Sequence, residues 1–172
     1  IDAPGERTAI DAPAACTHVA PGASVQAALD DPSISVVCLD AGRYQGPLRL
    51  TRAVTMWGPR DAVVAGTGTI VDVTAPGAAV VGMTIDGTGG RFDLLDGAVR
   101  LAASDTRVEG VRVINAVFGI LVERASRVRI LNNHILGSRD PSTGLRGDTI
   151  RMWETRDSLV EGNTIEDGRD LV

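Results

Sequence analysis

The sequence predicts an all-β chain folded as a right-handed parallel β-helix. This is a solenoid with three short strands per coil and a capping helix near its N-terminus. Three observations carry this reading. Four segments share one shape: VVGMTIDG at 80–87, VEGVRVIN at 108–115, ILNNHILG at 130–137 and VEGNTIEDG at 160–168. Aliphatic residues recur in two columns. One holds Ile85, Val113, Ile135 and Ile165, at separations of 28, 22 and 30; the other holds Val71, Val99, Ile120, Ile150 and Leu171, at 28, 21, 30 and 21. Both columns keep one phase without reversal, as stacked parallel coils require and hairpin-paired strands of a sandwich or barrel would not.

Within each unit, runs of about four residues alternate apolar and polar character between Gly, Asn, Asp or Ser, which is the signature of short strands. The unit from 98 reads AVRLA, TRVEG and VRVIN; the next reads GILVE, RVRIL and NNHIL; the last reads TIRMW, DSLVE and GNTIE. A basic period near 22, lengthened by about eight residues at alternate turns, stacks Ile and Val at roughly 4.8 Å spacing. Such a unit cannot bury its apolar face alone and needs neighbours above and below.

Residues 1–15, rich in Pro and Ala, read as a flexible N-terminal segment and as a mature or trimmed start. The β-helix domain then occupies 16–172 and is expected to be incomplete at its C-terminal end, because the chain stops inside an expected strand. Ser24 can cap a short helix, SVQAALDD, that places Val25, Ala28 and Leu29 on one face. The run SVVCLDAGRYQGPLRL enters the first full coil, followed by VTMWG and DAVVAG. Cys16 and Cys38 lie 22 residues apart, one coil length, so adjacent strands can bring their thiols within bridging distance. A disulfide there implies an oxidising compartment, hence a periplasmic or secreted protein. Two buried free thiols are the alternative.

Aromatics make up only 3% of the residues, which suits narrow stacked layers better than one large core. A net charge of −5 and the absence of a basic run argue against nucleic acid as a partner. No stretch reaches the ~20 apolar residues of a membrane span. All 17 basic residues are Arg, which a GC-rich genome accounts for and which also suits acidic ligands. Phosphate loops, nucleophile elbows, HExxH and paired CxxC motifs are absent from the sequence, so no residue is assigned a catalytic role.

The lengthened turns, GTGGRFDLLD at 87–96 and GSRDPSTGLR at 137–146, follow equivalent strands and so leave the same edge of the helix. Together they can wall a groove. Arg91, Asp93 and Asp96 in the first, Arg139, Asp140 and Arg146 in the second, and Asp148 just beyond are candidate ligand-binding residues, since mixed Arg and Asp bind anionic or hydroxyl-rich ligands. Solvated loops without function are the alternative. One outward strand column carries Asp72, Arg100, Leu121 and Arg151, too few carboxylates for a glycosidase pair. His134 falls in an outward column with Thr84, Arg112 and Thr164. Asn133 and Asn163 share a turn column and suit a stacked amide ladder inside the coil.

From Val36 to Val172 the chain resembles the NosD-like, nitrous-oxide-reductase maturation family of β-helix repeat proteins. The likeness rests on LDAGRYQGPLRL, the GMTIDG turn and RGDTIRMWETRDSLVEGNTIEDGRDLV. The resemblance implies a periplasmic accessory protein that works with an ATP-driven transporter, or with the metalloenzyme itself, in copper-site assembly. Copper is then the implied metal, although the sequence has no dense His/Met/Cys cluster of the kind soft copper ligation favours. Three functions stay open at this point: an exported non-catalytic accessory or binding protein, a carbohydrate-active lyase, epimerase or hydrolase acting on acidic polysaccharide, and a structural or adhesive module.

Overall fold

A computed structural model describes residues 9–138 and 146–168 of the chain. They wind through three parallel sheets in a fixed cyclic order. Sheet 1 stacks β1 (Thr17–Val19), β2 (Val36–Leu39), β5 (Thr55–Trp57), β8 (Ala79–Val81), β11 (Arg107–Glu109), β14 (Arg129–Leu131) and β17 (Leu159–Glu161). Sheet 2 stacks β3 (Gly42–Gln45), β6 (Ala62–Ala65), β9 (Thr84–Asp86), β12 (Arg112–Ala116), β15 (His134–Gly137) and β18 (Thr164–Glu166). Sheet 3 stacks β4 (Leu48–Leu50), β7 (Val71–Val73), β10 (Gly97–Leu101), β13 (Phe118–Glu123) and β16 (Ile150–Trp153). The fold is the parallel β-helix that the repeat requires.

The aliphatic columns are in register. Ile85 pairs with Val113, Val113 with Ile135 and Ile135 with Ile165. Val71 pairs with Val99, Val99 with Ile120 and Ile120 with Ile150. Leu171, expected to extend the second column, lies outside the described residues. Ile85, Val113 and Ile135 are fully buried, each contributing about 1.5–3 kcal/mol by leaving water. Ile165, in the last described coil, is 36% exposed, as stacking on one side only would leave it.

A helix, α1 (Val25–Asp30), stands between β1 and β2, and the Ser24 hydroxyl accepts a bond from the Ala27 amide at 3.2 Å. Val25 and Leu29 join the core and Ala28 packs against it. Cys16 and Cys38 are joined by a disulfide, with Cα atoms 5.8 Å apart. By the chain-entropy model a loop of this length contributes roughly 3 kcal/mol. Ile10 packs beside this bridge with Trp57, whose indole N–H donates to the Ile10 carbonyl at 3.2 Å.

The corner from sheet 1 to sheet 2 needs left-handed backbone. Gly82, Gly110, Asn132 and Gly162 fill it with φ of 85°, 63°, 54° and 70°, which explains the recurrent Gly and its replacement by Asn, the side chain that best tolerates that conformation. Just past this corner the amide ladder is present. Asn133, 1% exposed, accepts from the Val111 amide at 2.9 Å and donates to the Val108 carbonyl at 3.1 Å. It also donates to Asn163 Oδ1 at 2.9 Å, while Asn163 donates to the Ile130 carbonyl at 2.8 Å.

Two outcomes follow. Asn133→Leu strands the Val111 N–H and the Val108 carbonyl inside the coil, so urea unfolding is expected to lose about 1–3 kcal/mol. Asp86, the partly buried one among the carboxyls held low, contributes to the pH dependence. Burial pushes its carboxyl up, but bonds from the Thr88 side chain, Asn115 and the Thr88 amide, with Arg43 nearby, outweigh this and hold it below its ordinary value. The stability it contributes is complete above the unfolded carboxylate range, about pH 4, and is lost as pH falls through the lowered value. Asp86→Asn should therefore flatten the acid limb of the stability-versus-pH curve below about pH 4; an unchanged limb would remove Asp86 from the account.

Candidate functional site

Both lengthened turns lie between sheet 2 and sheet 3: residues 87–96 join β9 to β10, and the second joins β15 to β16. The first is rooted by Asp86, which accepts from Thr88 Oγ1 at 2.6 Å and from Asn115 Nδ2, one coil on, at 3.1 Å. Its far end is fixed by Phe92, whose ring stacks on Phe118 of β13 with centroids 5.4 Å apart. A closing bond runs from the Asp96 amide to the Arg91 carbonyl at 3.1 Å. The loop thus stays against sheet 3 and shares a cleft with its outward face.

On that face, outward positions form a ladder. Arg49 pairs with Asp72, Asp72 with Arg100, Arg100 with Leu121 and Leu121 with Arg151. Arg100 spans two coils, with Nη1 donating to Asp72 Oδ1 at 2.9 Å and Nε to Glu123 Oε2 at 3.1 Å. Burial pulls its guanidinium down, but Glu123 and Asp72 more than offset this and raise it. Beyond Arg100 a cleft of about 220 Å³ opens between Leu95 of the loop, residues 121–124 of β13 and its exit, and Arg151 and Trp153 of β16. Trp153 is 51% exposed, and the Arg151 guanidinium lies 5.5 Å from its ring centroid, a cation–π contact. The mixture is an apolar floor, an aromatic wall and charged edges.

The sequence candidates meet different fates. Asp148 does not line the cleft but lies behind it, its carboxylate 4.0 Å from the guanidinium of Arg151, which does. Arg91 and Asp93 satisfy each other through a 2.6 Å ion pair, both well exposed. Asp96 turns inward, 9% exposed, and accepts from the Arg91 amide at 2.9 Å, which makes it a brace of its own loop. Arg146 is half-buried. Arg139 and Asp140 lie outside the described residues. Sequence reasoning passed over Trp153, Leu95 and Glu123 as site residues. A Trp at an outward strand position, in a chain with only two, was the available signal.

Other chemistry is sparse among the described residues. Asp72 and Glu123 are both held by Arg100. His134 meets Glu166 at 2.7 Å. For a soft metal such as copper, Met56 and Met83 are fully buried and Met152 packs on the core. Cys16, His18 and Cys38 do converge, with one donor atom from each lying within 4.8 Å of the others. In this state, however, the two sulfurs are bonded to each other, so no thiolate is offered and the fit to copper is poor.

No protein-family model matches the chain, and no solved structure matches it. Two curated proteins do. The chain is 29% identical over 136 residues to the probable ABC transporter binding protein NosD of Pseudomonas aeruginosa, covering 77% of this chain and 32% of that protein. It is 26% identical over 136 residues to the protein of the same name from Stutzerimonas stutzeri, covering 77% of this chain and 31% of that one. The chain thus spans about a third of the length of the curated relatives it matches. The similarity covers about three quarters of this chain and makes it a distant NosD-like relative.

Proposed function

We propose that this chain acts as an exported, non-catalytic accessory module that docks on a component of an ABC transporter through the cleft of sheet 3. The observation that carries the reading is the joint one of a NosD-like sequence and a half-exposed Trp153 stacked under Arg151 in a small cleft. Trp and Arg are the side chains that dominate protein–protein binding energy when a partner buries them. At about 220 Å³ the cleft falls below the ~300–1,000 Å³ of ordinary small-molecule sites and suits one or two anchoring side chains. The disulfide supports export, since such bridges persist in oxidising compartments. Copper-site maturation, which the family resemblance implies, is in this reading a role exercised through protein contact. Glu123 and Arg124 beside the apolar lining would supply charged contacts to the same partner.

A second reading rests on the same aromatic. An exposed Trp flanked by Arg and Glu is also a platform on which a sugar ring stacks, so acidic oligosaccharide is the alternative ligand.

Binding of the purified chain to a reconstituted ABC transporter ATPase–permease complex tests the first reading. Saturable binding is expected, with Trp153→Ala weakening it at least tenfold, about 1.4 kcal/mol, and Arg129→Ala on sheet 1 leaving it unchanged. Absence of binding, or full binding by the Trp153 variant, would overturn it. Titration with oligogalacturonate, read by tryptophan fluorescence, decides the second: no change on saturating ligand removes it.

A further inference from the structure

We infer that the outward face of sheet 1 holds a site for a monoanionic polyhydroxy ligand, an acidic sugar, anchored by Arg107 and Arg129. The inference is independent of the transporter reading, because its recess shares no lining residue with the sheet 3 cleft. Val80, Val108 and Ile130 are fully buried inside the coil, so strand parity turns Ala79, Arg107 and Arg129 outward. In this outward column Thr55 pairs with Ala79, Ala79 with Arg107 and Arg107 with Arg129. The column thus steps from two small side chains to two long cationic ones. That step leaves a recess of about 400 Å³, within the ~300–1,000 Å³ of small-molecule sites.

Charge selects the ligand. Like charges directly opposite on neighbouring strands repel, and Arg107 and Arg129 are such a pair. Glu109 engages Arg107 from along its own strand, whereas no described carboxylate pairs with the Arg129 guanidinium. An oxyanion held between the two arginines relieves their repulsion and gives Arg129 an acceptor. The planar guanidinium fork suits a carboxylate, which it binds through two parallel hydrogen bonds.

The rest of the lining limits the ligand to one negative charge and asks it for hydroxyls. Arg127 and Asp105 both line the recess, and Arg127 donates Nε and Nη2 to the Asp105 carboxylate at 2.6 and 2.7 Å. These bonds hold the Asp105 carboxyl below its ordinary value, so it stays an ionised acceptor. Its charge repels a second negative charge, such as sulfate carries, while its oxygens accept from a hydroxyl. Thr55, from the small end of the column, adds a hydroxyl of its own. A single carboxylate with several neighbouring hydroxyls meets these groups; a bare dianion does not.

The test titrates the isotope-labelled full chain with sodium glucuronate, and separately with sodium sulfate and with glucose, at constant ionic strength. Amide NMR shifts locate and quantify the binding. One equivalent of glucuronate is expected to bind with a dissociation constant of about 1 mM or tighter. Its shifts should centre on residues 77–79, 105–107, 127 and 129. Sulfate and neutral glucose should each bind about tenfold more weakly or worse. Arg129→Gln should weaken glucuronate about tenfold or more, since a charge-assisted pair is lost, while Arg43→Gln on sheet 2 leaves it unchanged. Both are surface changes, and the amide spectrum of each variant reports its fold. Absence of saturable binding, sulfate binding as tight as glucuronate, shifts centred away from sheet 1, or full affinity in the Arg129 variant would each overturn the proposal.

Discussion

An aliphatic side chain inside this coil is dry only if another lies directly above it and another directly below. Ile135 shows the condition met, with Val113 on one side, Ile165 on the other and no exposed surface. Ile165 shows it half met. The backbone obeys the same rule, because each strand inside a sheet sends its hydrogen bonds to the coils before and after it. Cohesion therefore comes from neighbour to neighbour along the axis, and a defect in one coil is felt first by the two that touch it.

That constraint decides where the chain can vary. A strand cannot gain a residue without turning its inward column outward, so added length goes to corners. Corners in turn demand particular residues: left-handed Gly or Asn between sheets 1 and 2, and behind them the Asn133–Asn163 amides that satisfy backbone groups the turn leaves unpaired. The long turns between sheets 2 and 3 use this freedom. The first one lies against the sheet 3 face through Phe92 and Phe118, and its Leu95 lines the cleft together with Leu121 and the half-exposed Trp153.

Much of this was legible in the sequence, and the boundary of legibility has physical causes. The columns through Val113 and Ile120 were readable because burial forces one residue class at one spacing. The disulfide was readable because 22 residues is one coil, and the Asn ladder because an amide recurring at a buried turn has few other uses. The candidate face was harder. Arg91 and Asp93 have the composition of a binding loop, yet they neutralise each other, and Asp96 turns back to hold its own backbone. Such local pairing depends on the path of the loop, which periodicity does not encode. Trp153 could be placed on an outward position by strand parity, but whether an outward side chain is open or roofed depends on loops from another coil. The same limit hid the contact of His18 with Asp40, a residue one full coil away.

The account stands on parallel, in-register stacking at one coil per step, and oxidative cross-linking measures that register directly. Arg112 and His134 are outward neighbours on β12 and β15, at a spacing a disulfide can span. With both replaced by Cys, rapid and complete bridging is expected, with none when Cys is placed instead at Arg112 and Leu136. Bridging of the shifted pair, or of neither, would mean that these strands do not lie as described, and the cleft and the cysteine bridge would lose their geometry with them.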